Sequence, residues 1–334
     1  SRWNPLRNLS REDEDERDAP WHLATRTAAL MLVCVLVVII AHPLSAGRPD
    51  GRLRIDFLDV GQGDAALLTM PDGTTLLVDG GGRPYIRAQR LSAEEDDGEV
   101  LFERDARSIG EAVVSEYLWW RGLSRVDYIL ATHADADHID GLKAIARNFS
   151  VRAALAARAP ADEPEFASFA TTMRRAGVPV YLLGRSDTLR FGAVEADVIW
   201  PPAVSTDDTT ARSGNNDSVV LRLRFGRRVF LLTGDIERGA EESLVAIAED
   251  LRSDVVKVAH HGSRTSSIEK FVALAHPKIA VISVGRSSIF GHPHKEVVER
   301  WRGSGAEVLT TGERGTITIS TDGHDLRIET FVHD

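Results

Sequence analysis

The sequence predicts an α+β domain whose sheet surfaces are covered by helices. Two patterns carry that expectation: an all-strand opening from Arg52, then short apolar strands alternating with helical stretches. About 280 residues follow that opening, enough for one large core and too few for a second full domain.

Leu53, Ile55 and Phe57 alternate with Arg52, Arg54 and Asp56, the mark of a half-buried strand. Ala65 to Met70 and Thr75 to Val78 flank the turn Pro71-Asp72-Gly73, so an antiparallel meander is expected. Acidic Glu94 to Glu99 reads as a solvated loop. Helices are expected near 107–121, 139–147, 165–176, 238–249, 266–275 and 294–303. Strands are expected near 127–131, 178–183, 218–225, 228–233, 254–259, 279–283 and 316–331. No internal repeat is visible.

The amino-terminal region is different in kind. Leu23 to Ala41 is predominantly apolar, and about 28 Å of helix just reaches across a bilayer. A signal peptide fits less well, because a long acidic segment precedes the run and Pro43-Leu44-Ser45-Ala46 is a poor cleavage site. The arginines do not decide orientation, since Arg7, Arg11, Arg17 and Arg26 face Arg48, Arg52 and Arg54. The first residue is Ser1, so the chain is expected to be the end of a longer polytopic protein.

Composition excludes several classes. Hydrophobic content of 43% with 27% charged residues is ordinary for a globular fold. The single Cys34 rules out an internal disulfide framework and a cysteine-rich zinc site. A net charge of −10 argues against gripping nucleic acid mainly by electrostatics. The tail does not account for it, since residues 1–51 hold seven acids against six arginines.

The chemistry is concentrated in three polar clusters, each following an apolar strand. Val126 to Thr132 leads into His133-Ala134-Asp135-Ala136-Asp137-His138. A tight loop there aims imidazoles and carboxylates inward together, as a divalent cation requires. Phe230-Leu231-Leu232-Thr233-Gly234 delivers Asp235, and Val255 to Ala259 delivers His260-His261-Gly262-Ser263. The first loop also admits reading as a polar cap of the next helix, an isolated strand-end Asp is more often a helix cap and a lone His-His more often a surface feature; the three in this order point to a metal site.

These clusters, with Leu58-Asp59-Val60-Gly61-Gln62-Gly63-Asp64, Val78-Asp79-Gly80-Gly81, Leu232-Thr233-Gly234-Asp235 and Gly291-His292-Pro293, resemble the carboxy-terminal metallo-β-lactamase-like domain of ComEC-type competence proteins. The resemblance runs from about Arg52 to about Ile328. It implies an α+β fold, a metallo-β-lactamase αββα sandwich preceded by one transmembrane helix. The domain plan becomes a polar acidic segment or inter-helix loop at 1–22, a transmembrane helix at 23–41, a linker at 42–51 and the hydrolase domain at 52–334. It also implies DNA as substrate during uptake, the cell membrane and other competence machinery as partners, and the hydrolase domain on the outer face. No organic cofactor is expected.

Within this resemblance, His133, Asp135 and Asp235 are expected to hold one metal ion. Asp137, His138, Asp235 and His261 are expected to hold the other, with Asp235 shared. His261 is preferred to His260 because the superfamily's ligand directly precedes Gly. Asp137, Asp235 and His260 are the expected catalytic groups, with water activated by two divalent ions as nucleophile. His260, Ser263, His292 and Asn216 are expected to contact substrate, and Asp64 and Asp79 to orient ligands through hydrogen bonds. Arg83, Arg264 and Arg286 lie near these clusters in sequence and are expected to add positive charge. Common superfamily members carry a second histidine where Asp135 stands, and a further histidine where Asn215-Asn216-Asp217-Ser218 stands. More oxygen ligands shift the preference from zinc towards manganese, with magnesium also admitted. Two other readings stand beside the nuclease: a small-molecule hydrolase cleaving a phosphocholine ester, thioester or lactam, and a non-catalytic metal- or DNA-binding domain.

Overall fold

The computed structural model describes residues 19–41, 49–82, 108–158, 163–202, 214–247 and 249–332. The chain divides into two compact units, Ser1–Gly47 and Arg48–Asp334. In the first, helix α1 spans Ala19–Ala41 and covers the run expected to cross a membrane. Among the described residues, no helix is long and apolar enough to cross a membrane. His22 and Arg26 occupy its early turns, and the uncharged stretch from Ala28 to Ala41 rises only about 21 Å, against about 30 Å of hydrocarbon. Most of the acidic segment 1–22, most of the linker 42–51, the Glu94 to Glu99 stretch and Arg83 lie outside the described residues.

Among the described residues, the second unit holds two sheets. The first has eight strands. Leu53–Phe57 (β1), Ala66–Thr69 (β2), Thr75–Val78 (β3), Arg125–Ala131 (β4), Ser150–Ala156 (β5) and Val180–Leu182 (β6) run across it, with Ile317–Thr321 (β14) and Leu326–Thr330 (β15) on the β1 side. The second has seven: Thr188–Phe191 (β7), Val194–Trp200 (β8), Val220–Phe225 (β9), Arg228–Leu232 (β10), Val255–Lys257 (β11), Ile279–Ile282 (β12) and Glu307–Thr310 (β13). One core lies between the sheets, where Ile55, Leu68 and Leu76 meet Phe230, Val255 and Val281. The outer face of the first sheet is covered by Ala136–Asn148 (α3) and Pro164–Ala176 (α4), which bury Leu142, Ile145 and Phe169 against Leu77 and Ile129. The outer face of the second is covered by Arg238–Ala246 (α5), Glu269–Ala275 (α6) and Lys295–Gly303 (α7), which bury Leu244, Phe271 and Trp301 against Leu231 and Val256. This is an αββα sandwich. A short π-helix, Gly110–Ser115, and Glu116–Trp120 (α2) occupy the region expected to be helical near 107–121, and Thr311–Arg314 forms a one-turn α8.

Several strands were not legible from periodicity. β5 is rich in alanine, which carries no strand preference, and pairs parallel to β4. β7 and β8 form a hairpin turning at Gly192, whose φ is 58°. The expected strand at 316–331 is two, β14 and β15, separated by the turn at Asp322 to Asp325.

Parallel pairing fixes where the chemistry falls. β3, β4, β5 and β6 are parallel neighbours, as are β10, β11, β12 and β13. Parallel neighbours need crossovers, and their carboxyl ends then open together at one edge. Asp79, Thr132, Asp235, His260 and Ser283 all follow such ends. The approach of α3 to that edge requires glycine. A Cβ on Gly141 would lie 1.8 Å from the Gly80 carbonyl oxygen, and one on Gly80 would lie 2.5 Å from the Leu142 nitrogen. Gly80 N donates to His138 O at 2.8 Å and Gly141 N to Gly81 O at 2.8 Å, tying the helix start to the Val78-Asp79-Gly80-Gly81 motif. Gly141→Ala therefore pushes α3 off the sheet edge. A loss of about 2 kcal/mol or more is expected in denaturant unfolding, and unchanged stability would contradict this packing.

Candidate metal centre

The first sheet supplies one half of the site. Asp79, beyond β3, accepts from Thr132 N and from Thr132 Oγ1, each at 2.8 Å. Because the Thr132 hydroxyl gives its hydrogen to Asp79, His133 Nδ1, 3.1 Å away, must be the donor to Thr132 Oγ1. The first turn of α3 carries Asp137 and His138, and His138 Nδ1 lies 2.8 Å from Asp79 Oδ2. Both rings therefore carry hydrogen on Nδ1 and turn Nε2 inward.

The second sheet supplies the other half. Asp235 follows β10, its amide donating to Ser218 Oγ at 3.1 Å. Lys257 closes β11, and His260 and His261 follow with φ of 48° and 52°. Two consecutive left-handed non-glycine residues are costly, and the fold holds them where they aim side chains at the site. His261 Nδ1 donates to Ser283 O at 2.9 Å, which again leaves Nε2 pointing inward. Thr311 Oγ1 bonds both N and O of Val284, at 2.9 and 3.1 Å, and so fixes the strand end beside that carbonyl. This gives the Thr310-Thr311-Gly312 segment a structural role.

The halves meet at Asp235. Its Oδ2 lies 3.1 Å from His138 Nε2 and 3.2 Å from His261 Nε2, and Asp137 Oδ2 lies 3.5 Å from His261 Nε2. Among the described residues, Nε2 of His133, His138 and His261 and Oδ1 of Asp64 are buried without a hydrogen-bond partner, the short distances to Asp235 and Asp137 lacking hydrogen-bond alignment. Buried polar atoms left bare are expensive, and three imidazole nitrogens converging on carboxylates are what a divalent cation satisfies. Two groupings have ligand atoms within 4.8 Å of one another: His133, His138 and Asp235, and Asp137, His138 and His261. Two more bring in Asp64, with Asp235 and His261 or with Asp79 and His138. The residues fit a metal.

The charges in the cluster set one another's protonation. Burial opposes charge on His261, yet Asp235 and Asp64 outweigh it and push the ring up to about 10. Burial likewise opposes charge on His138, which Asp235 and Asp79 raise well above the ordinary value. Burial works against ionised Asp235, but His138, His261 and Lys257 hold it well below the usual range. Asp137 is brought down to about 2 against its burial, chiefly by the neighbouring His261 ring and then by the charge of His138. His292 falls to about 4 through burial and the neighbouring His261 and His260.

An open cleft of about 600 Å³ lies over the cluster, lined by Asp135, Asp137, His260, His261, His292 and Phe290. His260 Nδ1 is engaged by Glu237 at 3.2 Å and Thr265 at 3.1 Å. The His292 ring lies 5.7 Å from that of His260 and 6.4 Å from that of His261. Ser263 and Asn216 do not line the cleft. Ser263 Oγ pairs with Thr265 Oγ1 at 3.0 Å, and Asn216 Oδ1 accepts from Glu237 N and Ala240 N at 3.0 and 3.2 Å, closing the first turn of α5. Among the described residues, Asp135 is in none of the four groupings. Its side chain is 51% exposed, with Oδ2 3.7 Å from His133 Nε2. Arg264 pairs with Glu296 at 3.1 Å, and Arg286 donates to Gly312 O at 3.0 Å.

Sequence reasoning missed Lys257. Its buried ammonium donates to Gly234 O at 2.8 Å, lies 3.2 Å from Asp235 Oδ1 and makes its closest contact with Asp64 Oδ2. Burial opposes its charge, but Asp64 and Asp235 push it up to about 12. The signal was a lone lysine within the apolar run Val255 to Ala259. Glu237 and Thr265, which fix His260, carried no signal before folding.

A family model described as the metallo-beta-lactamase superfamily matches residues 58–286. The chain belongs to this superfamily. Its curated relatives include "ComE operon protein 3" of Bacillus subtilis, 30% identical over 286 residues, covering 85% of this chain and 35% of that protein. "Competence protein ComA" of Neisseria gonorrhoeae is 28% identical over 221 residues, covering 65% of this chain and 28% of that protein. "Recombination protein 2" of Haemophilus influenzae is 26% identical over 292 residues, covering 87% and 31%. These are ComEC-type competence proteins, and the chain spans about a third of their length.

Two outcomes test this geometry. Replacing Lys257 by Met leaves Asp64 and Asp235 buried without their cation and is expected to cost the metal-free chain about 3–5 kcal/mol in denaturant unfolding. Metal ligands must be neutral imidazoles, so at pH 7.5 metal entry must displace the protons held on His138 and His261. Binding should strengthen as pH rises and release about two protons, read from calorimetry in buffers of different ionisation enthalpy. Binding without proton release would contradict the assignment.

Proposed function

We propose that the chain is a metal-dependent phosphodiesterase that cleaves DNA during uptake at the membrane. The observation that carries this reading is the convergence of three bare imidazole nitrogens on Asp235 at the floor of an open cleft. The competence relatives supply the DNA context.

His133, His138, His261, Asp137 and Asp235 would hold two divalent ions, with Asp235 shared and Asp135 completing the first position from the cleft side. The mixed imidazole and carboxylate set suits manganese or zinc, with magnesium also admitted. When bound, such ions supply Lewis-acid charge to phosphoryl oxygens and make water acidic enough to act as a nucleophile near neutral pH. The protein's own groups do the rest. Asp79 and Ser283 O lock His138 and His261 in the tautomer that faces inward, with Thr132 doing the same for His133. Lys257 holds Asp235 Oδ1 so that Oδ2 faces both rings. His260, kept in place by Glu237 and Thr265, stands at the cleft wall to move a proton to the leaving oxygen. His292, neutral at physiological pH, offers a hydrogen bond to a phosphoryl oxygen.

Membrane attachment through residues 23–41 belongs to the same proposal, supported by the exposed apolar side chains from Leu30 to Ile39 in α1. Placement of the hydrolase unit on the outer face follows from its meeting incoming DNA. A second reading, a small-molecule hydrolase, is favoured by one observation: among the described residues the cleft carries Asp135, Asp137, Glu163 and Glu165 and no lysine or arginine.

The full chain with manganese is expected to hydrolyse single-stranded DNA, and Asp235→Ala to lower the rate by at least about a thousandfold. Turnover of bis(p-nitrophenyl) phosphate with no cleavage of DNA would select the small-molecule reading. Hydrolysis that survives Asp235→Ala would remove both.

A further inference from the structure

Among the described residues, no lysine or arginine lines the cleft over the metal cluster to grip a polyanion, yet a cationic cleft lies beside it. This second cleft, of about 560 Å³, lies among α5, α6 and α7 and is lined by Arg238, Arg264, Lys270 and Arg300 against Glu242 and Glu269. In a chain with 40 basic and 50 acidic residues, this concavity gathers four cations against two acids in its lining, with Glu296 and buried Glu241 behind them. Two of the cations are tied: Arg264 to Glu296 at 3.1 Å, and Arg300 to Ser267 O at 2.7 Å. Arg238 and Lys270 are exposed, and among the described residues neither makes an ion pair.

One loop runs between the two clefts: His260 and His261 line the first, and Arg264 and Ser266 line the second. Thr265 accepts from Arg238 N through its carbonyl at 2.7 Å, while its hydroxyl contacts His260 Nδ1 at 3.1 Å and Glu237 Oε1 at 2.8 Å. Arg264 stands three residues after His261, so their Cα atoms are at most about 11 Å apart. That is within a few phosphates along one strand.

We propose that the α5–α6–α7 cleft binds the phosphodiester backbone of a nucleic-acid strand and leads it to the metal centre. The inference rests on the nuclease reading for its substrate. It answers the charge objection by separating grip from cleavage: Arg238, Arg264, Lys270 and Arg300 hold phosphates flanking the scissile one, and the acidic cleft admits only the phosphate that metal charge compensates.

The test is fluorescence anisotropy of a phosphorothioate-linked fifteen-residue oligothymidylate, which resists cleavage, with the full chain and magnesium. Arg238→Glu combined with Lys270→Glu is expected to weaken binding at least tenfold. The slope of log affinity against log salt should become shallower by about 0.7 for each phosphate that the variant no longer grips. Arg190→Glu combined with Arg327→Glu, the same change of four charge units at exposed arginines on β7 and β15, is the control and should weaken binding by less than twofold. Equal losses in the double variant and the control, or no loss in the double variant, would overturn the proposal. So would loss of binding to phosphatidylglycerol vesicles with oligonucleotide binding unchanged, which assigns the cleft to lipid headgroups. If the double variant loses oligonucleotide binding but the unaltered chain never cuts DNA, the nuclease reading fails and the phosphate cleft stands.

Discussion

One carboxylate oxygen joins the two halves of this sandwich. Asp235 Oδ2, from the second sheet, sits 3.1 Å from His138 Nε2 of the first and 3.2 Å from His261 Nε2 of its own. Around it lie Asp64, Asp79, Asp137 and Lys257, so charges of both signs are packed at a sheet edge with little water. Isolated, each would cost several kcal/mol to bury, and together they persist only because every one faces an opposite charge. The glycines of the Val78-Asp79-Gly80-Gly81 segment and Gly141 serve that arrangement, letting α3 come close enough to bring His138 to Asp79 and Asp235.

The arrangement is compatible with two occupants, protons or cations. Without metal, His138 and His261 carry the positive charge that balances Asp235 and Asp137, and their raised pKa values record that balance. With metal, the same lone pairs would serve as ligands while Asp79 and Ser283 O would hold the outward nitrogens. Lys257 is the fixed part of the balance. It cannot leave the cluster without exposing Asp64 and Asp235 to each other, and it confines the shared carboxylate to one orientation.

Much of the site was legible in the sequence because it obeys a local rule: an apolar strand, then a short polar run at its carboxyl end. His133, Asp137, His138, Asp235 and His261 all follow that rule, and the structure gathers them. Lys257 breaks it by lying inside the strand, and its meaning depends on Asp64, far away in sequence. Asn216 and Ser263 lie near the site yet spend their side chains on α5 and on Thr265, a distinction that only the fold makes. The two-layered sheet plan was partly readable from alternation, whereas β5 was hidden by its alanines and the β7–β8 hairpin by its mixed, half-exposed faces. The charge pattern was misleading in bulk and informative in place, since a net −10 conceals a concentration of arginine and lysine beside the metal cluster.

The central claim is that this cluster is a two-ion site organised about Asp235. Crystals of the full chain grown with manganese, measured at the manganese absorption edge, test it most directly. The account predicts two anomalous peaks flanking Asp235, one beside His133 and the other beside His261, each within coordination distance of an inward-facing Nε2. A single peak remote from Asp235, or no peak with the rings still paired to carboxylates, would contradict it.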